Sequence, residues 1–400
     1  MFKKIIVSLI VLSLLLIVST AVFAQDDSVV EGDNYTELFT EALNDYNAEN
    51  YALAEEKFSD LLDSEQLGEG LEFSALYYST MTAVNRNQTS KAVDYLEKMN
   101  ELGYQSGNLN WRIGQLYLNK RNQFDSADFK EALNYLEKAE ELGVMRIEFK
   151  RDLAYANLEN QNLEKAEELY KEIIDIKADS DDYLNLAKIK EKQDNLNQAV
   201  EYYESALKLN GSQSSLYLNL GNLYQELGNY NSAVSIFNQG IKQRSDFTPY
   251  YIGLGESHIE LQQFEKAESA LKKAVEINEN SYYGYYLLAN LEKEKGNLNE
   301  ALNYYSQSLK YNPDYVEAYL AEGRIHLERE EYYRAISRFS LAVEKNSDYT
   351  ESRYYLGRAY YQADMLEAAR AELRQALHIN DKHQQARELL DKIEDELDIN

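Results

Sequence analysis

The sequence predicts an all-α solenoid of about ten helix–turn–helix units, closed at its carboxyl end by a capping helix. Three observations lead to this fold class. From Ser180 onward the chain repeats every 34 residues, in six consecutive units without an insertion. Within each unit, apolar residues recur at helical spacing in two runs. A short polar break such as Gly228-Asn229 separates the runs, where Gly permits the left-handed conformation that ends a helix. A unit this small must bury its apolar face against its neighbours, which indicates a stacked array.

Four positions carry the pattern, counted from the first residues of the units: Ser180, Ser214, Thr248, Tyr282, Val316 and Thr350. Position 20 is Ala in all six units, and position 24 is Tyr, Phe or Leu. Position 8 is Ala or Gly, so two helix backbones are expected to approach closely there. Position 31 is Asn in five units, where it is predicted to end the second helix in a left-handed conformation: Asn210, Asn278, Asn312, Asn346 and Asn380.

This pattern resembles the tetratricopeptide repeat family, whose signature runs aromatic, Leu-Gly, Tyr, Ala, Phe and Pro. The unit from Ser214 carries most of the signature: Tyr217, Leu220, Gly221, Tyr224, Gly228, Tyr230, Ala233 and Phe237. The closing Pro occurs only at Pro313. The resemblance implies a right-handed superhelical solenoid, in which the first helix of each unit lines a concave groove that binds a peptide.

The amino-terminal residues 1–24 are predicted to be a bacterial secretory signal peptide. Lys3 and Lys4 precede an apolar stretch, and residues 22–24 (Val-Phe-Ala) fit a cleavage site. The alternative is an uncleaved membrane anchor, because residues 5–23 are almost long enough to span a bilayer. Either way, the repeats are expected outside the cytoplasm, as a periplasmic, extracellular or membrane-anchored protein. Residues 25–34 are polar and acidic and predict a flexible leader.

Residues 35–179 predict four further units with less regular spacing. Pairs of residues four apart mark their second helices: Ala54 and Phe58, Ala92 and Leu96, Ala132 and Leu136, Ala166 and Tyr170. About six additional residues are expected around 121–129. Residues 180–381 form the six regular units. Residues 382–400 predict the capping helix, with Ala386, Leu390 and Ile393 on one face and charged residues on the other.

The composition excludes several classes of function. Asp and Glu number 69 against 41 Lys and Arg, and a formal net charge of −28 argues against binding to nucleic acid. The chain has no Cys, which excludes disulfides, thiolate zinc sites and a cysteine nucleophile. It also lacks phosphate-binding loops and hydrolase motifs. The sequence therefore predicts no enzyme, no cofactor and no metal site.

The resemblance places the fifth and ninth positions of each unit in the groove. The fifth positions are Leu184, Leu218, Ile252, Tyr286, Leu320 and Tyr354; the ninth are Lys188, Asn222, Glu256, Asn290, Arg324 and Arg358. The groove is thus expected to hold an apolar ladder beside a polar row that turns basic toward the carboxyl end. Trp111 falls on an equivalent fifth position. For Trp111 and the ladder, packing against neighbouring helices is the alternative.

The sequence therefore favours a non-catalytic protein–protein interaction scaffold of the bacterial cell envelope, which binds a peptide or a helix in its groove. The alternative is a self-associating structural protein, such as an accessory subunit of an export or surface-assembly machine. The partner is expected to be a protein or a peptide, and a membrane tether requires an uncleaved signal segment.

Overall fold

The computed structural model describes residues 32–64, 67–119 and 126–399, and all its regular elements in these ranges are α-helices. The predicted signal peptide, residues 25–31 of the leader and residues 121–125 of the predicted insertion lie outside them. The helices are α1 (Gly32–Asn47), α2 (Tyr51–Leu62), α3 (Glu69–Asn85), α4 (Thr89–Glu101), α5 (Gly107–Asn119), α6 (Ser126–Glu141), α7 (Ile147–Glu159), α8 (Leu163–Lys177), α9 (Ser180–Lys192), α10 (Leu196–Leu209), α11 (Ser214–Glu226), α12 (Tyr230–Gln243), α13 (Thr248–Glu260), α14 (Phe264–Ile277), α15 (Tyr282–Glu294), α16 (Leu298–Tyr311), α17 (Val316–Glu328), α18 (Tyr332–Lys345), α19 (Thr350–Gln362), α20 (Leu366–Ile379) and α21 (Gln384–Ile399).

Consecutive helices pair as hairpins, from α1 with α2 through α19 with α20. The described residues thus contain ten hairpins followed by the single helix α21, which confirms the predicted all-α solenoid class. The chain divides into two compact units, one up to Ala178 with α1–α8 and one from Asp179 with α9–α21.

The core of each regular hairpin lies where the repeat pattern places it. The six Ala side chains at position 20 are fully buried, and the large side chains at position 24 are at most 1% exposed. The Phe237 ring shows why position 8 is small. A Cβ atom built on Gly221 would lie 2.4 Å from Cε1 of Phe237, and one built on Gly253 of the next hairpin would lie 2.4 Å from Cζ. The ring is therefore clasped between two glycine backbones.

The turn inside each regular hairpin uses a left-handed residue at position 15. The φ angles of these residues lie between +55° and +81°, including +71° at Gly228. This conformation is easiest for glycine, but Asp194, Gln262, Glu330 and Asp364 also adopt it. The prediction that Gly228 ends the first helix in this way is confirmed.

The five Asn residues at position 31 end the second helices as predicted, but the predicted left-handed conformation is wrong. All five are extended, with φ between −145° and −129°. The side-chain Oδ1 of each accepts a hydrogen bond from the backbone N–H two residues later, at 3.1–3.2 Å. The next first helix begins only four residues after this Asn, so the chain must leave the second helix extended and turn at once. Asn ends the helix by this side-chain turn.

The last helix, α21, covers the apolar face of the final hairpin. Ala386, Leu390 and Ile393 belong to the same buried cluster as Leu373 and Ala376 of α20. Beside this cluster, Arg374 of α20 pairs with Glu394 of α21 at 2.6 Å. None of the helices in the described ranges is long and apolar enough to cross a lipid bilayer.

Candidate functional site

Several first helices of neighbouring hairpins in the second compact unit contact one another. Contacts join α11 to α13, α13 to α15 and α17 to α19, whereas consecutive second helices in residues 179–399 make no comparable contact. The hairpin stack within this unit is therefore tighter on the side of the first helices. This arrangement aligns equal positions of successive first helices along one surface.

A cleft of about 320 Å³ opens on this surface between α15, α17 and α19. Its lining includes equal positions of successive repeats, the fifth (Tyr286 and Leu320) and the ninth (Asn290 and Arg324). The remaining lining residues are Lys293, Glu317, Ala321, Glu328, Tyr349, Glu351 and Tyr355. The cleft is at the small end of ligand-binding sites, so it holds a few side chains rather than a whole domain.

Aromatic rings form one wall of the cleft and fix the position of Arg324, one of its two cations. The Tyr355 ring stacks on the buried Phe339 ring, with centroids 5.5 Å apart. The Arg324 guanidinium lies over the Tyr355 ring, 5.4 Å from its centroid. A cation over an aromatic face is held electrostatically, so the Arg324 head is positioned although its side chain is exposed.

The opposite wall is built from tyrosines and one amide. Tyr286 packs edge-on against Tyr315 at 5.0 Å, and its ring is tilted against the buried Tyr305 ring at 5.8 Å. The Tyr305 hydroxyl donates to Oδ1 of Asn290 at 2.5 Å. Burial raises the pKa of Tyr305 and Tyr315, so both hydroxyls stay protonated. Asn290 is thereby oriented by the core of its own hairpin, with its amide group at the cleft.

The charges of the cleft differ from the predicted basic row. Two cations, Lys293 and Arg324, share the lining with three acids, Glu317, Glu328 and Glu351. Glu351 also lies 3.1 Å from Nε2 of His383, at the start of the capping helix. The predicted basic residue Arg324 does line the cleft, but acids at position 2 of α17 and α19 lie there too, and the fifth and ninth positions do not reveal them.

The predicted groove residues fall into three groups. Leu218, Ile252, Tyr286 and Lys188 are half-buried, and Asn222, Arg324 and Arg358 are exposed, so their side chains reach the surface. Glu256 and Asn290 are half-buried and already hydrogen-bonded, Glu256 to the Tyr283 hydroxyl at 2.7 Å. Burial raises the pKa of the Glu256 carboxyl. Four more are buried, with 4–9% exposure: Trp111, Leu184, Leu320 and Tyr354.

These four buried side chains correct the picture of an open apolar ladder. Tyr354 is covered by the capping helix, where its ring lies 4.9 Å from the His383 ring. Leu184 packs in the cluster of Ala187 and Tyr203. Leu320 packs against the Phe339 cluster and leaves only an edge at the floor of the cleft. The fifth position is thus a packing position in three of the six regular hairpins, at Leu184, Leu320 and Tyr354.

Trp111 belongs to the first compact unit and is not a surface anchor. Its ring meets Phe149 edge-on at 6.0 Å, and its indole N–H donates to the carboxylate of Asp152 at 2.6 Å. Gln115 donates to the same carboxylate oxygen at 2.7 Å. Burial raises the pKa of Asp152, which is partly offset by these hydrogen bonds. Of the two interpretations of Trp111, the structure supports packing between helices.

The sequence did not single out Glu317, Glu351, Tyr349 or Tyr355. Glu317 and Glu351 occupy position 2 of successive units, and Tyr355 occupies position 6, one residue past the predicted ladder. Tyr349 is the residue before α19, where the preceding units have Tyr315 and Phe247. This recurring aromatic was a signal that could have been used. Among the described residues, no group of three His, Asp or Glu side chains is arranged to hold a metal ion.

Stacked helical hairpins with a side-chain-lined cleft define a repeat protein of the kind that acts as a scaffold for other proteins. Four sequence profiles of the tetratricopeptide repeat match, over residues 117–182 and 286–350, 179–246, 248–281 and 326–393. The chain belongs to the tetratricopeptide repeat family, as the sequence pattern predicted. No curated protein sequence matches it significantly.

Similar solved structures share the fold. Yeast Tom70 is similar over 92% of this chain and 97% of its own, at 12% identity and a TM-score of 0.50. A tetratricopeptide repeat protein from Parabacteroides merdae is similar over 62% of this chain and 98% of its own, at 22% identity and a TM-score of 0.49. YrrB, described as having an unusual peptide-binding site, is similar over 48% and 98%, at 20% identity and a TM-score of 0.38.

Proposed function

We propose that this protein is a non-catalytic scaffold that binds a peptide segment of a partner protein in the cleft between α15, α17 and α19. The observation that carries the proposal is the cleft itself, which combines aromatic walls with oriented polar groups on the first helices of three successive hairpins. A peptide suits it because side-chain pockets of this size, spread over a longer surface, read several residues of an extended partner.

The side chains of the cleft walls are already held in position without a ligand. Tyr355 is stacked on Phe339, and Asn290 is fixed by the Tyr305 hydroxyl. Side chains that are already held lose little freedom on binding, so more of the contact energy contributes to affinity. A preformed cleft of this kind favours recognition of a short segment rather than the folding of a large interface.

Site-specific crosslinking in cells tests the proposal. A photo-reactive phenylalanine analogue at Tyr286 or at Tyr349 lies in the cleft, and the same analogue at the exposed Glu294 is the matched control. We expect the two cleft positions to give the same discrete protein adduct, and the control position to give none. Equal adducts at all three positions, or none at the cleft, would count against a peptide-binding cleft.

We further propose that the protein is exported by a bacterium and works in the cell envelope. The support is the charge and apolar pattern of residues 1–24. Cell fractionation with and without these residues is the test, together with amino-terminal sequencing of the mature chain. Export with a new terminus at Gln25 is expected. A chain that keeps Met1 and stays in the cytoplasm would contradict this proposal and leave the cleft unaffected.

Self-association is the second candidate function. Met145 and Tyr333 favour it, because these large side chains are 82% and 77% exposed. Sizing chromatography with light scattering over a hundredfold concentration range distinguishes the two candidates. A mass that rises with concentration and that falls back when Met145 and Tyr333 are replaced by Ser supports self-association, whereas a constant monomer mass excludes it.

A further inference from the structure

The charged side chains of the cleft are sorted along the helix axis. Glu317 and Glu351 are the second residues of α17 and α19, so both carboxylates lie at the end formed by the helix starts. Arg324 follows Glu317 by seven residues, which corresponds to about 10 Å along an α-helix. Lys293 is the twelfth residue of α15 and lies at the same end as Arg324. One end of the cleft is therefore acidic and the other carries both cations.

Glu328 is the exception, since it lies one helical turn beyond Arg324 on α17. Glu328 forms no ion pair with Arg324, and among the described residues no other carboxylate does so; the guanidinium lies over the Tyr355 ring instead. At the acidic end, Glu317 likewise has no cationic partner among the described residues. Each end of the cleft thus presents a charge that the protein itself leaves unpaired.

We propose that the ligand of the cleft is a bipolar peptide segment, with a basic and an acidic side chain on either side of an apolar one. The basic side chain lies between Glu317 and Glu351, the apolar one rests on Tyr286 and the edge of Leu320, and the acidic one pairs with Arg324. This inference rests on the proposed function and specifies the ligand class for the same cleft.

The spacing of the ligand residues follows from the geometry. In an extended peptide every second side chain shares a face, and residues rise about 3.3 Å each. Residues four apart therefore share a face at about 13 Å, which side-chain flexibility adjusts to the charge separation in the cleft. The expected ligand has its two opposite charges four residues apart and its apolar residue midway, in either chain direction.

Ligands of one charge fit less well. A uniformly acidic peptide meets Glu317 and Glu351 and the field of a protein with net charge −28. A uniformly basic peptide satisfies the acids but places a like charge on Arg324. Like charges brought together at an interface suppress the wrong partner, so the two ends of the cleft give selectivity as well as attraction.

Selection from a displayed library of random dodecamer peptides on the purified full-length chain tests the inference. The wild type is expected to enrich peptides with opposite charges four residues apart around an apolar residue. Arg324→Glu is expected to replace the acidic residue of the selected peptides by a basic one. Glu317→Lys with Glu351→Lys is expected to replace the basic residue by an acidic one.

A synthetic peptide from the wild-type pool then gives the magnitude. We expect its Kd to rise at least tenfold with Arg324→Glu and to stay within twofold with Arg358→Glu, the same repeat position on α19 outside the cleft lining. A peptide with its acidic residue changed to Lys should bind Arg324→Glu at least tenfold more tightly than it binds the wild type. Unchanged melting temperatures show that the variants remain folded.

The results that would overturn only the bipolar ligand differ from those that would also overturn the proposed function. Enriched peptides that compete with crosslinking at Tyr286 but carry no charge pair would overturn the bipolar ligand and leave the peptide-binding cleft in place. If no peptide is enriched, or if the enriched peptides bind equally well after Tyr286→Ala and Tyr355→Ala, both the bipolar ligand and the proposed function are wrong.

Discussion

Replacing Phe237 by Ala removes the ring that joins two successive hairpins. The ring is fully buried and lies against the backbones of Gly221 and Gly253. Phe→Ala substitutions in cores cost about 3–5 kcal/mol. Because the two glycines have no side chains that could move into the space, we expect a loss near the upper end, about 4–5 kcal/mol. The opening should be confined to the hairpins around α11–α14, since repeats couple mainly to their neighbours.

A second substitution tests the geometry and not only the burial. In the wild type, Gly221→Ala places a methyl group 2.4 Å from the Phe237 ring. Overpacking of this kind costs about 1–3 kcal/mol, and the better helix propensity of Ala returns about 1 kcal/mol. In the Phe237→Ala background the same methyl enters the cavity, so Gly221→Ala should instead stabilise by about 1–2 kcal/mol. The effect of one substitution therefore changes sign with the presence of the ring.

Hydrogen exchange followed by mass spectrometry measures both steps, because it reports the opening free energy of individual helices in an array that need not unfold in one step. Phe237→Leu is the control, since Leu271 and Leu373 occupy the same position in sister repeats and are fully buried. It should lose much less protection than Phe237→Ala. If Gly221→Ala lowers protection equally in both backgrounds, the ring does not touch this glycine and the packing argument fails.

Three further predictions concern other parts of the chain. Burial and the nearby Lys266 lower the pKa of His258 below 6.5, so its contribution to stability is present above that pH and lost as the pH falls through the lowered value. As the pH falls from 7.5 to 5, the free energy of unfolding measured in urea should therefore decrease less for His258→Tyr than for the wild type. Asp152→Ala leaves the indole N–H of Trp111 unpaired and should cost about 1–3 kcal/mol, measured by the fluorescence of this single Trp; an unchanged urea midpoint would contradict it. Deletion of residues 384–400 uncovers Tyr354 and should cause association that light scattering detects, whereas a monodisperse truncated chain would show that α21 is not a cap.

The helical hairpins could be predicted because the same residue types recur at the same positions of successive repeats. An Ala at position 20 and a large residue at position 24 require the same close helix pair in each unit, and the structure buries every one of them. Gly228 indicated the left-handed turn, because glycine has no Cβ atom and adopts positive φ angles easily. Asn at position 31 was correctly expected to end a helix, but its conformation was wrong, because Asn serves both a left-handed end and a side-chain turn.

The binding surface was only half predictable. Tyr286 and Arg324 could be placed on it from their repeat positions, and both line the cleft. Leu320 and Tyr354 occupy the same position as Tyr286 yet are buried. Their exposure depends on the side chain that the next hairpin or the capping helix brings against them, and the period does not encode that choice.

The sequence by itself determined the hairpins, their number and the family, since these depend on residues within one repeat or its immediate neighbour. Only the tertiary structure decided where a ligand could bind. The cleft exists because α15, α17 and α19 bring together side chains from three repeats, including acids at position 2 and the ring of Tyr355 at position 6. Helix formation is governed by local spacing, whereas exposure and charge pairing arise between helices distant in sequence.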